Sequence, residues 1–279
     1  MLARVKRLFK ALENLAWSRR AYRFHMREWT RLTDLDGAAQ LLNTVRFSRT
    51  LVPVEMEAPS NRRITVIAPH PDDEAIGPGG TLLMATARGC TITVIYVTDG
   101  TAAEHDIRIQ ESAAVCKALG WRVVRLGGVA GMLDINADMA KKFTAVLAET
   151  QPDIVMLPFV LDDNDDHRRT NELWLTGGRN SAVTAEVWAY QVYSVVLPNV
   201  VVDITEVQDG KAALIRDYKS QMRRRDWANF ALGRDAWTSR WLPGRNAAAW
   251  AEAFHVVPAA DYLDYAAIYF QNNRQNYYR

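Results

Sequence analysis

Between residues 62 and 178 the hydrophobic positions switch repeatedly between two periods. Short apolar runs rich in β-branched residues occur at 64–68, 91–97, 122–126 and 153–158, the composition of buried strands. Between them lie stretches with helical spacing at about 81–88, 106–119 and 137–150, and a fourth that opens near Arg168. Gly120 stands where a helix C′ glycine is expected, and Pro152 follows the third helical stretch. Four strand–helix units in series predict a Rossmann-like α/β fold, a mostly parallel sheet with right-handed crossovers and helices on both faces. After Gly178 the texture changes. Residues 186–196 and 200–204, separated by Leu197-Pro198-Asn199, predict a pair of strands bonded to each other, and 207–224 predict one helix. The remainder carries Trp227, Trp237, Trp241 and Trp250 and an apolar stretch at 262–270. This C-terminal part is expected to complete the same core.

The first 60 residues follow another pattern and are expected to form a basic, amphipathic helical extension before a single domain spanning 61–279. Leu2, Val5, Leu8, Phe9, Leu12 and Leu15 recur at three- and four-residue steps. Over residues 1–31, Arg4, Lys6, Arg7, Lys10, Arg19, Arg20, Arg23, Arg27 and Arg31 face only Glu13 and Glu28. Such a helix can pack on its own domain or on a second subunit. It can also lie on an anionic membrane, each basic residue contributing about 1 kcal/mol. The whole chain has a formal net charge of +2, with 49% hydrophobic and 24% charged residues. That balance gives no polyelectrolyte character, and no base-reading motif is present, so nucleic acid is not an expected partner. Cys90 and Cys116 lack metal or redox spacing and read as free thiols. With no secretory signal and no apolar run of membrane-spanning length, a cytoplasmic protein is expected, with peripheral membrane contact through residues 1–31 as an option. Oligomeric state stays open.

The run at 64–68 ends in Pro69-His70-Pro71-Asp72-Asp73-Glu74, with Gly77, Gly79 and Gly80 beyond it. In open α/β sheets the site lies at the carboxyl ends of the strands. His70 and Asp73 there, and His167 after the fourth strand and its loop Asp162-Asp163-Asn164-Asp165-Asp166, have the donor types of a catalytic zinc site. Ferrous iron is an alternative for the same donors. Asp72, beside these residues, has the position of a general base. The glycines do not spell GxGxxG, and an acidic turn would repel a pyrophosphate, which argues against a nucleotide-binding fold.

The wording of this stretch, Ala68-Pro69-His70-Pro71-Asp72-Asp73-Glu74 with Gly79-Gly80, resembles the signature of the LmbE-like, N-acetylglucosaminyl-phosphatidylinositol de-N-acetylase family. Weaker support comes from Thr98-Asp99-Gly100, Arg108-Ile109-Gln110-Glu111, Val202-Asp203-Ile204, Tyr218 with Ser220-Gln221, and Glu252-Ala253-Phe254. The resemblance covers roughly residues 62–255. It implies a zinc-dependent amidase acting on N-acetylglucosamine-type conjugates (nucleotide-, lipid- or glycoside-linked), in which hydroxide on zinc attacks the acetamide and acetate is released. By position, His70, Asp73 and His167 would bind the metal and Asp72 would act as general base. Arg108 would bind substrate, or else pair with Glu111 or a strand-end carboxylate. The family's last motif commonly reads His-x-Asp-His, and here Asn164 occupies its first position. Asn164 would then donate only a hydrogen bond, Asp72 would carry both proton transfers, and Asp166 would orient an imidazole. His105 is a candidate substitute for the absent histidine. The same departure admits a second expectation, a catalytically weak glycan-binding or assembly subunit. The late tryptophans would stack on sugar rings or pack the core.

Overall fold

The computed structural model describes residues 52–273, apart from 102, 182, 195, 245 and 246. The basic stretch 1–31 and the short helix expected at 38–42 lie outside the described residues. Eight described strands form one sheet: β1 (Val54–Glu55), β2 (Arg63–Ala68), β3 (Thr91–Thr98), β4 (Arg122–Gly128), β5 (Ile154–Pro158), β6 (Glu186–Tyr190), β7 (Val200–Asp203) and β8 (Ala251–Pro258). Their spatial order is β1-β7-β8-β6-β5-β2-β3-β4. β2, β3, β4, β5 and β6 run parallel to one another, joined by helices Gly79–Ala87, His105–Leu119, Ala137–Thr150 and Asp165–Leu173. Along β2 and β3 alternate side chains feed two apolar cores. Ile67, Ile95 and Val97 point into one; Val66, Ala68, Val94 and Tyr96 point into the other. Burial on both faces is why these strands read as continuous apolar runs.

The expected strand pair is corrected. β6 and β7 do not pair with each other, because β8 lies between them and pairs antiparallel with both. β8 arrives from almost fifty residues downstream, where Ala251, Ala253 and Phe254 are buried. The expected helix at 207–224 is also interrupted. It consists of Gln208–Arg216 and Lys219–Met222, with Tyr218 out of helical geometry at φ −81, ψ 63 between them. Two further helices, Trp227–Thr238 and Ala259–Asn273, cover the faces of the sheet's second half. β1 pairs parallel with β7, so the described sheet begins ahead of residue 61. Among the described residues no helix is long and apolar enough to cross a membrane.

One buried ionic knot ties the late part of the chain to the early part. Glu252 on β8 accepts hydrogen bonds from the backbone N–H groups of Gly80 (2.7 Å) and Thr81 (2.8 Å). Its carboxylate therefore caps the positive end of helix Gly79–Ala87. Lys211 Nζ lies 2.6 Å from both Glu252 Oε1 and Asp235 Oδ2, and it donates to the Gly77 carbonyl. Gly80 suits this crowded place because a Cβ there would come within 2.9 Å of Ile204.

Candidate metal centre

β2 and β5 are adjacent and parallel, so their carboxyl ends open side by side. The turn after β2 carries His70, Asp72 and Asp73. The first turn of helix Asp165–Leu173, just beyond β5, carries Asp166 and His167. The topology thus joins residues almost a hundred positions apart. Ligand-capable atoms of His70, Asp73 and His167 all lie within 4.8 Å of one another, and all three residues are buried.

Asp73 Oδ2 is the hub. It accepts the His70 backbone N–H at 2.8 Å, lies 3.1 Å from His70 Nδ1, and stands 3.2 Å from His167 Nε2. Asp73 Oδ1 and both ring nitrogens of His167 are buried without a hydrogen-bond partner. Unpartnered buried polar atoms are costly. An oxygen and an imidazole nitrogen left this way fit a divalent cation, as does the surplus of carboxylates around them.

A second layer holds the imidazoles. Asp166 Oδ2 lies 2.8 Å from His70 Nε2 and accepts the Gly131 N–H at 2.7 Å. Asp162 Oδ1 lies 3.4 Å from His167 Nδ1 and accepts the Asn164 N–H at 3.0 Å, while its Oδ2 accepts from Tyr193 N–H at 3.2 Å. Carboxylates placed this way fix ring orientation. Burial alone would lower both histidines, yet both are raised. Hydrogen bonds to Asp166 and Asp73 lift His70, and the charges of Asp73 and Asp162 lift His167 well above the usual imidazole range. Burial likewise works to raise Asp73, but the charge of His167, with the hydrogen bond and charge of His70, holds it well below the carboxylate range. The field is strongly negative, which favours a cation.

Asp72 lies just outside the cluster. Its φ of 130 is unusual for a residue with a side chain, a local strain of the kind that gathers at functional sites. Burial pushes its carboxyl up to about 6, a shift that the guanidinium of Arg108 opposes and Asp73 adds to. Arg108 is buried, and its Nη2 donates to Asp72 Oδ1 at 2.8 Å and to the Pro71 carbonyl at 2.6 Å. Between the two expected ion pairs for Arg108, the carboxylate after the strand is the one formed, while Glu111 accepts from Ser220. Arg108 Nε is buried without a partner. Beneath Asp72, Glu74 Oε2 accepts the Asp72 N–H, and Tyr218 donates to Glu74 Oε1. Burial raises Glu74 to about 7.

Asn164 is the N-cap of helix Asp165–Leu173, which opens earlier than the expected start near Arg168. Its Oδ1 accepts the Asp166 N–H at 2.9 Å. His105 does not join the cluster. It lines a cavity of about 790 Å³ with Gly100, Glu104, Gly128, Arg223 and Arg224, beyond the ends of β3 and β4. Both cysteines are free thiols, and burial pushes Cys116 up to about 12. Trp227 belongs to an aromatic series outside the centre. Sequence reading missed the bracing role of Asp162 and the presence of Tyr193, whose ring lies 5.1 Å from that of His167. Asp162 was visible within the acidic loop; Tyr193 had no motif to mark it.

Residues 65–176 match the family described as PIG-L, GlcNAc-PI de-N-acetylase. The chain is 24% identical over 193 residues to the diacetylchitobiose deacetylase of Thermococcus kodakarensis, spanning 60% of this chain and 72% of that protein. It is 36% identical over 86 residues to the 1D-myo-inositol 2-acetamido-2-deoxy-alpha-D-glucopyranoside deacetylase of Corynebacterium glutamicum, but spans only 30% of that relative and 25% of itself. The solved N,N'-diacetylchitobiose deacetylase of Pyrococcus horikoshii shares the fold with a TM-score of 0.61 at 24% identity, over 72% of this chain and 85% of that one.

Proposed function

We propose that this chain, which carries a domain of the PIG-L (LmbE-like) deacetylase family, hydrolyses the N-acetyl group of an N-acetylglucosamine-type sugar conjugate. The observation that carries this reading is the buried His70–Asp73–His167 cluster with two unpartnered ligand atoms, set beside a strained carboxylate of raised pKa. His70, Asp73 and His167 would hold a divalent cation, zinc or ferrous iron by donor type. Such a cation supplies Lewis acidity, polarising a carbonyl oxygen and lowering the pKa of water to about 7.

The chain's own residues divide the remaining work. Asp72 accepts the proton of the attacking water as the new C–O bond forms. It then delivers that proton to the amide nitrogen as the C–N bond breaks, so acetic acid and a free amine leave, ionising in water to acetate and ammonium, and Asp72 ends ionised as it began. Arg108 holds Asp72 in place through Nη2 and keeps a buried Nε–H for the substrate. Asn164 commits its carbonyl oxygen to the helix cap and offers only the amide N–H side to a developing oxyanion. The conjugate would be nucleotide-, lipid- or glycoside-linked.

Asn164 also favours a second reading, a glycan-binding subunit with little turnover. Acetate release from N-acetylglucosamine conjugates separates the two. The expected result is release that a chelator abolishes and added Zn2+ restores, with about one metal ion per chain in the purified protein. Absence of release with every conjugate, metal-loaded or not, would leave the binding subunit as the better account.

A further inference from the structure

An aromatic series leads outward from the metal cluster. Tyr193 stands 5.1 Å from the His167 ring, centroid to centroid. Trp227 follows at 5.7 Å from Tyr193, and Phe230 at 6.2 Å from Trp227. The two ends of the series are exposed, Tyr193 at 39% and Phe230 at 53%, with Trp227 half-buried between them. The guanidinium of Arg225 lies 5.4 Å and 5.1 Å from the centroids of Trp227 and Phe230.

Hydrogen bonds fix the backbone beside two of the rings. Tyr193 N–H donates to Asp162, the same carboxylate that approaches His167. Trp227 opens a helix whose N-cap, Asp226, accepts the Asn229 N–H at 3.0 Å. A core-packing role does not explain a phenyl ring left half in water at the end of such a chain of contacts. Contiguous exposed aromatic surface marks a binding site. The rings stand 5.7 and 6.2 Å apart and are inclined at 71° and 55°, so successive sugars would meet an edge and a face in turn, with the Arg225 guanidinium over Trp227 and Phe230 as the polar neighbour. A lipid surface would want a wider apolar face than these three rings present.

Resting on the deacetylase reading, we propose that Tyr193, Trp227 and Phe230 form a carbohydrate platform. It receives the sugar residues that extend beyond the acetylated one, with Arg225 donating to their hydroxyls. The preferred substrate is then an oligosaccharide rather than a monosaccharide conjugate.

The test measures binding and not turnover. Calorimetric titration of the full chain, with a chelator present to stop acetate release, against an N-acetylated glucosamine tetrasaccharide and against N-acetylglucosamine gives a ratio of affinities. The tetrasaccharide is expected to bind about tenfold more tightly. That ratio should fall severalfold in Phe230→Ala, whose ring is exposed, and further in Trp227→Ala. Equal affinity for the two sugars in the unaltered chain, or an unchanged ratio in both variants, overturns the platform. So does a Phe230→Ala protein whose mass in light scattering drops to a smaller oligomer, since the surface would then belong to a second copy. Length-dependent binding together with no acetate release from the metal-loaded protein would overturn the deacetylase reading and leave the platform standing.

Discussion

Asp72 occupies a place that an ordinary residue avoids. A φ of 130 at a position with a Cβ costs on the order of 1–3 kcal/mol and persists only where neighbours over-determine it. Here Arg108 holds its side chain, and Glu74 accepts its N–H. The result is a carboxylate close to the cluster but outside it, poised near neutrality. Asn at position 72 keeps the shape and can still accept from Arg108, but it cannot take a proton. Asp72→Asn should therefore lower kcat by about 10²–10⁴-fold while KM changes far less. Metal content measured by elemental analysis should stay the same. A variant that kept most of its turnover would transfer the proton step to another group. His70, Asp73 and His167 were legible in the sequence because a strand end announced the first two and an acidic loop before a helix announced the third. The resemblance of the motif also implied the division between Asp73 as ligand and Asp72 as base; what the sequence did not carry was the hub position of Asp73 Oδ2 and the positive φ at Asp72.

At the level of elements, the two halves of the sheet were unequally legible. β2 to β5 follow one another through local strand–helix units, and each unit leaves its own periodic signal. β8 leaves a weaker one. Glu252 interrupts the apolar alternation of Ala251–Pro258, and the strand's partners, β7 and β6, lie about fifty and sixty residues upstream. A local reading therefore paired β6 with β7 and overlooked the strand between them. The same Glu252 explains why the insertion holds. It caps helix Gly79–Ala87, and Lys211 and Asp235 complete a buried ionic cluster around it. Removing the cation leaves Glu252 buried with only its two backbone donors, while Asp235 keeps Arg234. Lys211→Met should destabilise the fold by about 3–5 kcal/mol, seen as a fall in the urea midpoint at unchanged slope. Replacing Glu149 by Gln in the exposed Arg122–Glu149 pair is the matched comparison and should shift the midpoint little. Equal shifts would mean that the Lys211 cluster does not anchor β8.

For the whole molecule, the pH response of stability reports on groups distributed well beyond the centre. His255 lies on β8, 1% exposed, with Nδ1 3.0 Å from the Leu197 carbonyl and its ring between Phe159 and Tyr265. Burial lowers its pKa to about 4, from 6.5 in the unfolded chain. Between those values the unfolded chain binds a proton that the folded chain refuses. The stabilising contribution of a neutral His255 is thus complete above pH 6.5 and declines as the pH falls towards 4. At pH 4.5 the loss is about 2–3 kcal/mol. The metal-cluster residues titrate as well, so the decisive measurement is a difference between two proteins. His255→Phe lacks the group, although it also gives up the Leu197 hydrogen bond at every pH. Its unfolding free energy should start lower than that of the unaltered chain at pH 7.5, and the gap should close by about 2–3 kcal/mol at pH 4.5. Parallel curves across that range would show that the interior around β8 admits a charged imidazole. The second half of the sheet would then be looser than its packing implies, and the cap it provides for the helix behind the metal centre would be correspondingly weaker.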